Sequence, residues 1–97
     1  MAGENRLENY LRVKCVVEGI FVRKVVAVGS TGFPDRFLAY DGRVYLVELK
    51  NPNGRGNLSA KQIATSKALS EVGIIPFVID SFDGVDRLIT AILSDAC

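Results

Sequence analysis

Two carboxylates and one amine lie where they could hydrolyse a phosphodiester bond. Asp35 follows Pro34, and Glu48 and Lys50 end the segment VYLVELK at residues 44–50. Carboxylates are the oxygen ligands that Mg²⁺ prefers. An ammonium beside the ion can orient or deprotonate an attacking water, or neutralise charge growing on a phosphate. The chain has no histidine, which excludes histidine bases and imidazole-ligated metals, so any metal would be bound by oxygen.

An Asp-Gly pair between two strand-like segments predicts how these groups meet. Asp41 and Gly42 fit a two-residue hairpin with a type I′ turn, which needs positive φ at both central residues. The register that follows from this turn places Asp35 directly opposite Glu48. Opposed residues share a face of the sheet, so the sequence predicts that the two carboxylates face each other.

Facing carboxylates are costly unless something lies between them. At about 5 Å and an effective dielectric near 20, they repel by about 3 kcal/mol. This is a sizeable part of the roughly 5–15 kcal/mol that stabilises a small domain. Pro34 cannot donate to a sheet and marks the beginning of the strand. Asp35, Glu48, the backbone carbonyl of Leu49 and water therefore predict a site for Mg²⁺ or Mn²⁺.

The elements that must position these residues follow from hydrophobic periodicity and turn residues. The predicted order is αβββαβα, an α/β fold with a mixed central sheet flanked by helices. The predicted helices are 4–18, 59–72 and 85–93, and the predicted strands are 21–28, 36–40, 43–50 and 74–80. The apolar face of the first helix is predicted to contain Leu7, Tyr10, Leu11, Val13 and Val17. Strand alternation puts Glu48 and Lys50 on the face of Val44 and Leu46, which is expected to be a core face.

The composition describes one ordered domain, residues 1–97, with 48% hydrophobic and 24% charged residues. No apolar run is long enough to span a membrane, and the N-terminal segment lacks an apolar signal core, so we expect an intracellular protein. Cys15 and Cys97 are in no zinc-ligand spacing and are expected to be free thiols. The net charge is +1, but residues 11–67 contain ten Lys/Arg and four Asp/Glu, a net of +6 that fits a polyanionic partner.

The segment GFPDRFLAYDGRVYLVELKNPNGRGNLSAKQ at residues 32–62 resembles the VRR-NUC family, the virus-type replication-repair nucleases of the PD-(D/E)XK nuclease superfamily. In that family a glycine-hydrophobe-PDR stretch, a hairpin, a V-E-L-K strand and a downstream S-x-x-Q recur together. The resemblance covers essentially the whole chain and implies a restriction-endonuclease-like core. Phe33 stands where a smaller residue is more usual, and Gly19-Ile20 replace the frequent glycine pair, which leaves substrate details open.

The resemblance implies a role for each matching residue. Asp35 and Glu48 would bind magnesium or manganese, and Lys50 would be the catalytic lysine. Gln62 matches the glutamine on the helix after the core. However, Ser59 and Gln62 also fit a capping box, which needs no active site.

Further site candidates lie on the first helix and among the basic residues. Glu8 matches a first-helix glutamate that reaches the metal directly or through water, and Glu4, one turn earlier, is the alternative. Arg36 points to the face opposite Asp35, which argues against direct contact with an ion. The candidates for phosphate contacts, which could also form a solvated polar edge, are Lys24, Arg55 and Lys61.

The leading functional hypothesis is a Mg²⁺- or Mn²⁺-dependent DNA endonuclease. A catalytically inactive DNA-binding or assembly module with a nuclease-like fold is the alternative, and the complete Asp-Glu-Lys set argues against it. A metal phosphohydrolase for other substrates is disfavoured by the basic middle of the chain. Small stand-alone family members tend to form homodimers that act on branched DNA, as Holliday junction resolvases do. The resemblance therefore implies such a partner and substrate, and it fits a phage-encoded protein acting in a bacterial host.

Overall fold

The computed structural model describes residues 2–29, 32–50 and 58–95, with the side chains of the first helix described from residue 6 onward. The predicted order αβββαβα and the α/β class are confirmed. The elements are α1 Ala2–Glu18, β1 Phe21–Lys24, β2 Arg36–Tyr40, β3 Arg43–Leu49, α2 Ala60–Glu71, β4 Phe77–Ile79 and α3 Phe82–Asp95. Within these three ranges, no helix is long and apolar enough to cross a membrane.

The sheet has the strand order β1-β2-β3-β4, in which β1, β2 and β3 are antiparallel neighbours and β4 runs parallel to β3. The hairpin prediction is confirmed, because Asp41 has φ 52° and Gly42 has φ 79°. The pairing of β2 with β3 begins with Tyr40 opposite Arg43 next to the turn and ends with Arg36 opposite Val47. This is the register that a two-residue turn at Asp41-Gly42 predicts. This register brings the residue before β2 to the level of Glu48.

Strand β1 is shorter than the predicted 21–28 because its partner begins late. Lys24 pairs with Arg36, the first residue of β2, and one more hydrogen bond joins the Val25 N–H to the Asp35 carbonyl at 2.9 Å. Pro34 comes next and has no N–H to offer. The sheet therefore ends at Asp35, which leaves the side chain of this residue at an open end.

The core lies on one face of the sheet, where α1 and α3 pack together. Its buried side chains are Leu7, Leu11 and Cys15 from α1, Ile20 just before β1, Leu38, Val47, Leu49 and Ile79 from the strands, and Val85, Leu88, Ile89 and Ile92 from α3. The predicted apolar face of α1 is wrong in part, since Val13 is 43% and Val17 is 71% exposed. The buried stripe instead follows the four-residue spacing through Cys15.

The opposite face of the sheet is more open than predicted. Val44 is 54% exposed and Leu46 only half-buried, so the expectation that Glu48 shares a core face is wrong. Helix α2, which lies on this side through the contact of Gln62 with Glu48, contains no buried residue. Because packing on this face is loose, polar side chains at the end of β3 can meet solvent or a ligand.

Candidate active site

Asp35 sits where the β2–β3 ladder ends, and its side chain continues the pairing. Its Oδ1 accepts a hydrogen bond from the N–H of Leu49 at 3.1 Å. The Asp35 carboxylate thus accepts the hydrogen bond that a backbone carbonyl would accept if the pairing of β2 with β3 continued beyond Arg36. The half-buried side chain is thereby held against the end of β3.

The backbone of Leu49 also faces Asp35. The N–H of the next residue, Lys50, donates to Ile79 on β4 at 2.9 Å, whereas the Leu49 N–H donates toward Asp35. In a strand, the N–H and C=O of one residue point to the same neighbour. The Leu49 carbonyl therefore lies on the side of the Asp35 carboxylate, as a third oxygen at the strand end.

Glu48, Lys50 and Gln62 form a connected polar cluster beside these oxygens. Gln62 Nε2 donates to Glu48 Oε2 at 2.7 Å, and Lys50 Nζ donates to Gln62 Oε1 at 2.7 Å. Lys50 Nζ also lies 3.5 Å from Glu48 Oε2. Glu48 is only 9% exposed. The glutamine thus bridges the carboxylate and the amine, and fixes the position of both.

Gln62 forms the capping box that the sequence predicted and also contacts both charged groups of the polar cluster. The Ser59 N–H donates to Gln62 Oε1 at 2.9 Å and the Gln62 N–H donates to Ser59 Oγ at 3.1 Å, so the capping box is present. The same Oε1 accepts from Lys50. The helix cap and the polar cluster therefore share one side chain.

The glycine before Phe33 permits this arrangement of α2. Gly32 has φ +94°, and a Cβ there would lie 2.7 Å from the carbonyl carbon and oxygen of Lys61. No side chain fits at that distance. Gly32 therefore allows the chain entering β2 to lie directly against the first turn of α2.

Arg36 is the residue whose contacts sequence reasoning missed. It lies on the core face and is 4% exposed. Its guanidinium nevertheless reaches past the end of the sheet, with Nη2 2.7 Å from Glu8 Oε2 and Nη1 3.3 Å from Asp35 Oδ2. A cation at a core-facing strand position requires a buried partner. That requirement, together with the acidic residues of α1, was the signal available in the sequence.

A solved structure described as a VRR_NUC domain matches this chain with a TM-score of 0.81 and 28% sequence identity. The match covers 91% of this chain and 95% of that one. The resemblance to the VRR-NUC family is confirmed. No family profile matches the sequence, and a search of curated proteins finds no match. The chain therefore has a nuclease-like fold similar to a VRR_NUC domain, and it is the comparison of structures that reveals this similarity.

Of the two first-helix candidates, only the side chain of Glu8 is described, and it does not join the carboxylates of Asp35 and Glu48 in one cluster. Glu8 contacts Arg36, and the side chain of Glu4 lies outside the described residues. In the part of the chain that the structure describes, no three His, Cys, Asp or Glu side chains come together as metal ligands.

Among the described residues, three oxygen-donor groups lie at the end of the β2–β3 hairpin where a metal could bind. They are the carboxylates of Asp35 and Glu48 and the backbone carbonyl of Leu49. This hard-oxygen set fits Mg²⁺ or Mn²⁺, which keep several waters and need only one or two carboxylates from a protein. The residues present therefore suit the ion that the resemblance implies.

Two of the three basic candidates, Lys24 and Lys61, lie within the described residues. Lys24 is exposed on β1, directly opposite Arg36 in the register. Lys61 is exposed on α2, next to Gln62, and Arg55 lies outside the described residues. Arg36 itself is buried and paired, so it cannot contact a phosphate without losing those partners.

The positive charge near Glu48 is too small to stabilise its ionised carboxylate fully. Burial raises the pKa of Glu48, and the nearby charge of Asp35 raises it further. Lys50 and Gln62 oppose this rise but do not cancel it. A cation between the two carboxylates would favour the charged form of Glu48 and so offset both causes.

This pKa shift has a measurable consequence for stability. A raised pKa in the folded state contributes stability at acidic pH that is lost as the pH rises through the folded value. Glu48→Gln removes the unfavourable charge and keeps an oxygen for Gln62. We expect it to raise the Tm of the metal-free protein at pH 7 by roughly 2–4 °C, which is about 0.5 kcal/mol in a domain of this size. The gain should shrink toward pH 4 in calorimetric scans; a gain that is constant with pH would contradict the assignment.

Proposed function

We propose that this domain is a metal-dependent deoxyribonuclease that hydrolyses phosphodiester bonds. The observation that supports it most directly is the convergence of Asp35, Glu48, Lys50 and Gln62 at one end of a hairpin, in a domain similar to a VRR_NUC domain. The carboxylates would bind Mg²⁺ or Mn²⁺ together with the Leu49 carbonyl. When bound, such an ion polarises a phosphate and lowers the pKa of a bound water.

The remaining work falls to the chain's own side chains. Lys50 Nζ, held by Gln62 Oε1 at 2.7 Å, presents an ammonium toward the phosphate oxygens and the attacking water. Gln62 keeps Lys50 and Glu48 at a fixed separation through its two amide atoms. The half-buried setting strengthens these interactions relative to open water.

A plasmid-cleavage assay tests the proposal. Supercoiled plasmid is incubated with the protein in Mg²⁺, in Mn²⁺ and in excess chelator. We expect nicked and linear products with either metal and none with chelator. Binding of the plasmid without cleavage under all three conditions would instead support the inactive DNA-binding module.

A cationic cleft beside the active site supports DNA as the substrate. A cavity of about 280 Å³ between α1 and β1 is lined in part by the exposed residues Arg12, Arg23 and Lys24. The one acidic residue in its lining, Glu8, is paired with Arg36. Arg36, which also lines the cleft, contacts the Asp35 carboxylate, so a phosphate backbone lying in the cleft would lead toward the proposed catalytic carboxylates. Lys61, on the other side of Gln62, is the second proposed phosphate contact, and Arg55 is the third.

Salt dependence of binding tests the cleft. Lys24→Gln is expected to weaken DNA binding similarly for all sequences and to reduce the slope of log K against log salt by about 1, because one fewer counterion is released. Fluorescence anisotropy in chelator measures this without cleavage. Arg43→Gln, an exposed cation at the turn end of the hairpin, is the matched control and should keep the wild-type slope. Equal effects from both variants would remove the cleft from the proposal.

We also propose that the domain acts as a homodimer on branched DNA, as the resemblance implies. Support comes from the uncovered apolar side chains around α2 and β4, which are Ile63, Val72, Ile74, Ile75, Phe77 and Val78. Apolar side chains left exposed in such number are consistent with an interaction surface on this side of the domain. A two-fold dimer would present two identical active sites to two strands of a junction.

The dimer is tested by a charge placed in that surface. Ile75→Asp, at a side chain that is 73% exposed, is expected to convert the dimer to a monomer in light scattering. Val16→Asp on α1, 64% exposed, is the matched control and should remain dimeric. A monomeric wild-type protein at working concentration would contradict the dimer. A panel of linear, single-stranded, flapped and four-way DNAs tests the preference for branches.

A further inference from the structure

Arg36 makes contacts that a merely structural cation does not need. Its side chain is almost completely buried, and burial of an unpaired guanidinium would be prohibitive. Nη2 pairs with Glu8 at 2.7 Å, while Nη1 contacts both the carboxylate of Asp35 at 3.3 Å and its backbone carbonyl at 2.9 Å. One planar group thus joins helix α1 to the residue that ends the sheet.

These contacts define the orientation of the Asp35 carboxylate. Oδ1 accepts from the Leu49 N–H at 3.1 Å, and Oδ2 faces the Arg36 guanidinium at 3.3 Å. The two oxygens are therefore held by two different strands, which fixes the plane of the carboxylate. Each oxygen can accept more than one contact, so both retain a lone pair for another ligand. Arginine suits this role because its donors form a rigid fork, which a lysine ammonium does not provide.

We propose that Arg36 is a positioning residue, which orients the Asp35 carboxylate for catalysis, and that Glu8 acts through Arg36 as its counter-ion instead of binding the metal. The catalytic part rests on the nuclease function proposed above. The assignment of Glu8 does not rest on the nuclease function, since it depends only on whether the Glu8 carboxylate pairs with Arg36 or binds the metal. It differs from the role that the resemblance implies, in which the first-helix glutamate reaches the metal.

Kinetics of Arg36→Lys and Arg36→Met test the positioning role. Loss of a partner that orients a metal-binding side chain typically costs about 10- to 100-fold in activity. We expect both variants to lose kcat by that factor with KM within about threefold of wild type, at a temperature where circular dichroism shows them folded. A wild-type kcat in folded Arg36→Met would reduce Arg36 to a structural role. A wild-type kcat in Arg36→Lys would show that charge alone suffices. Either result overturns the proposal.

Mn²⁺ titration by calorimetry gives a readout that is independent of cleavage. Removal of the Arg36 charge relieves repulsion of a nearby cation, so a purely electrostatic role predicts tighter Mn²⁺ binding in Arg36→Met. Loss of positioning predicts weaker binding, and this is the expected result. If Arg36→Met does not fold, Arg36→Lys replaces it: because lysine keeps the charge, a purely electrostatic role predicts unchanged Mn²⁺ binding, whereas loss of positioning predicts weaker binding.

Glu8→Gln decides the second half of the proposal. We expect a lower Tm, because Arg36 loses its counter-ion, and a Kd for Mn²⁺ within about threefold of wild type. Weakening of more than about tenfold would identify Glu8 as a metal ligand and overturn the assignment. Wild-type protein that binds Mn²⁺ but cuts no DNA would contradict the nuclease function alone, since the Kd and Tm comparisons would still be decided.

Discussion

Glu48→Gln is expected to abolish DNA cleavage while the protein stays folded. The carboxylate is one of two that the active site offers to a divalent ion, and an ion that stabilises charge in a transition state is worth several kcal/mol. A loss of about 4 kcal/mol corresponds to roughly 10³-fold in rate, at 1.36 kcal/mol for each factor of ten. The amide oxygen of the substituted side chain would still accept the hydrogen bond from Gln62 Nε2, so the polar cluster need not rearrange.

The measurement is kcat on plasmid or oligonucleotide DNA, together with Tm in chelator. Asp35→Asn is expected to behave in the same way in cleavage, since an amide oxygen can keep the Leu49 N–H contact but not the negative charge. Glu71→Gln, an exposed glutamate at the end of α2, is the matched control and should cut at the wild-type rate. An active Glu48→Gln enzyme would refute the catalytic assignment.

Lys50→Ala is expected to lose turnover but to retain the metal. A positioned acid–base group contributes about 10²–10⁴-fold, so we expect kcat to fall within that range. Lys50 Nζ lies 3.5 Å from Glu48 Oε2. Removal of its positive charge makes the electrostatic potential around the two carboxylates more negative. The affinity for Mn²⁺ should therefore stay the same or increase, whereas kcat should decrease.

Calorimetric titration beside single-turnover cleavage separates these two effects. Lys67→Ala, an exposed lysine on α2, is the control for loss of a basic side chain on the same helix that supplies Gln62. If Lys50→Ala lost Mn²⁺ binding in proportion to its activity, Lys50 would be a support for the metal site and not a group that acts on water or phosphate.

The sequence alone determined the hairpin turn, its register and the helix cap, because each depends on residues that are close together in the chain. Asp41 and Gly42 alone specify the type I′ turn, and the turn sets the pairing of β2 with β3 residue by residue. Because the register follows from the turn, the approach of Asp35 to the end of β3 could be predicted without knowing anything else about the fold. The capping box of Ser59 is local for the same reason.

Long-range packing decided what no local pattern contains. The sequence put Glu48 on an expected core face, but α1 and α3 both pack on the other face and leave that side half-open. Strand alternation correctly separated Arg36 from Asp35, yet a long side chain at a strand end can reach around the sheet once a helix supplies a partner. The pairing of Glu8 with Arg36 joins residues 28 positions apart, and only the docking of α1 on the sheet brings them together. Turn residues act over a few bonds, whereas the choice of partner for a buried charge depends on every element packed around it.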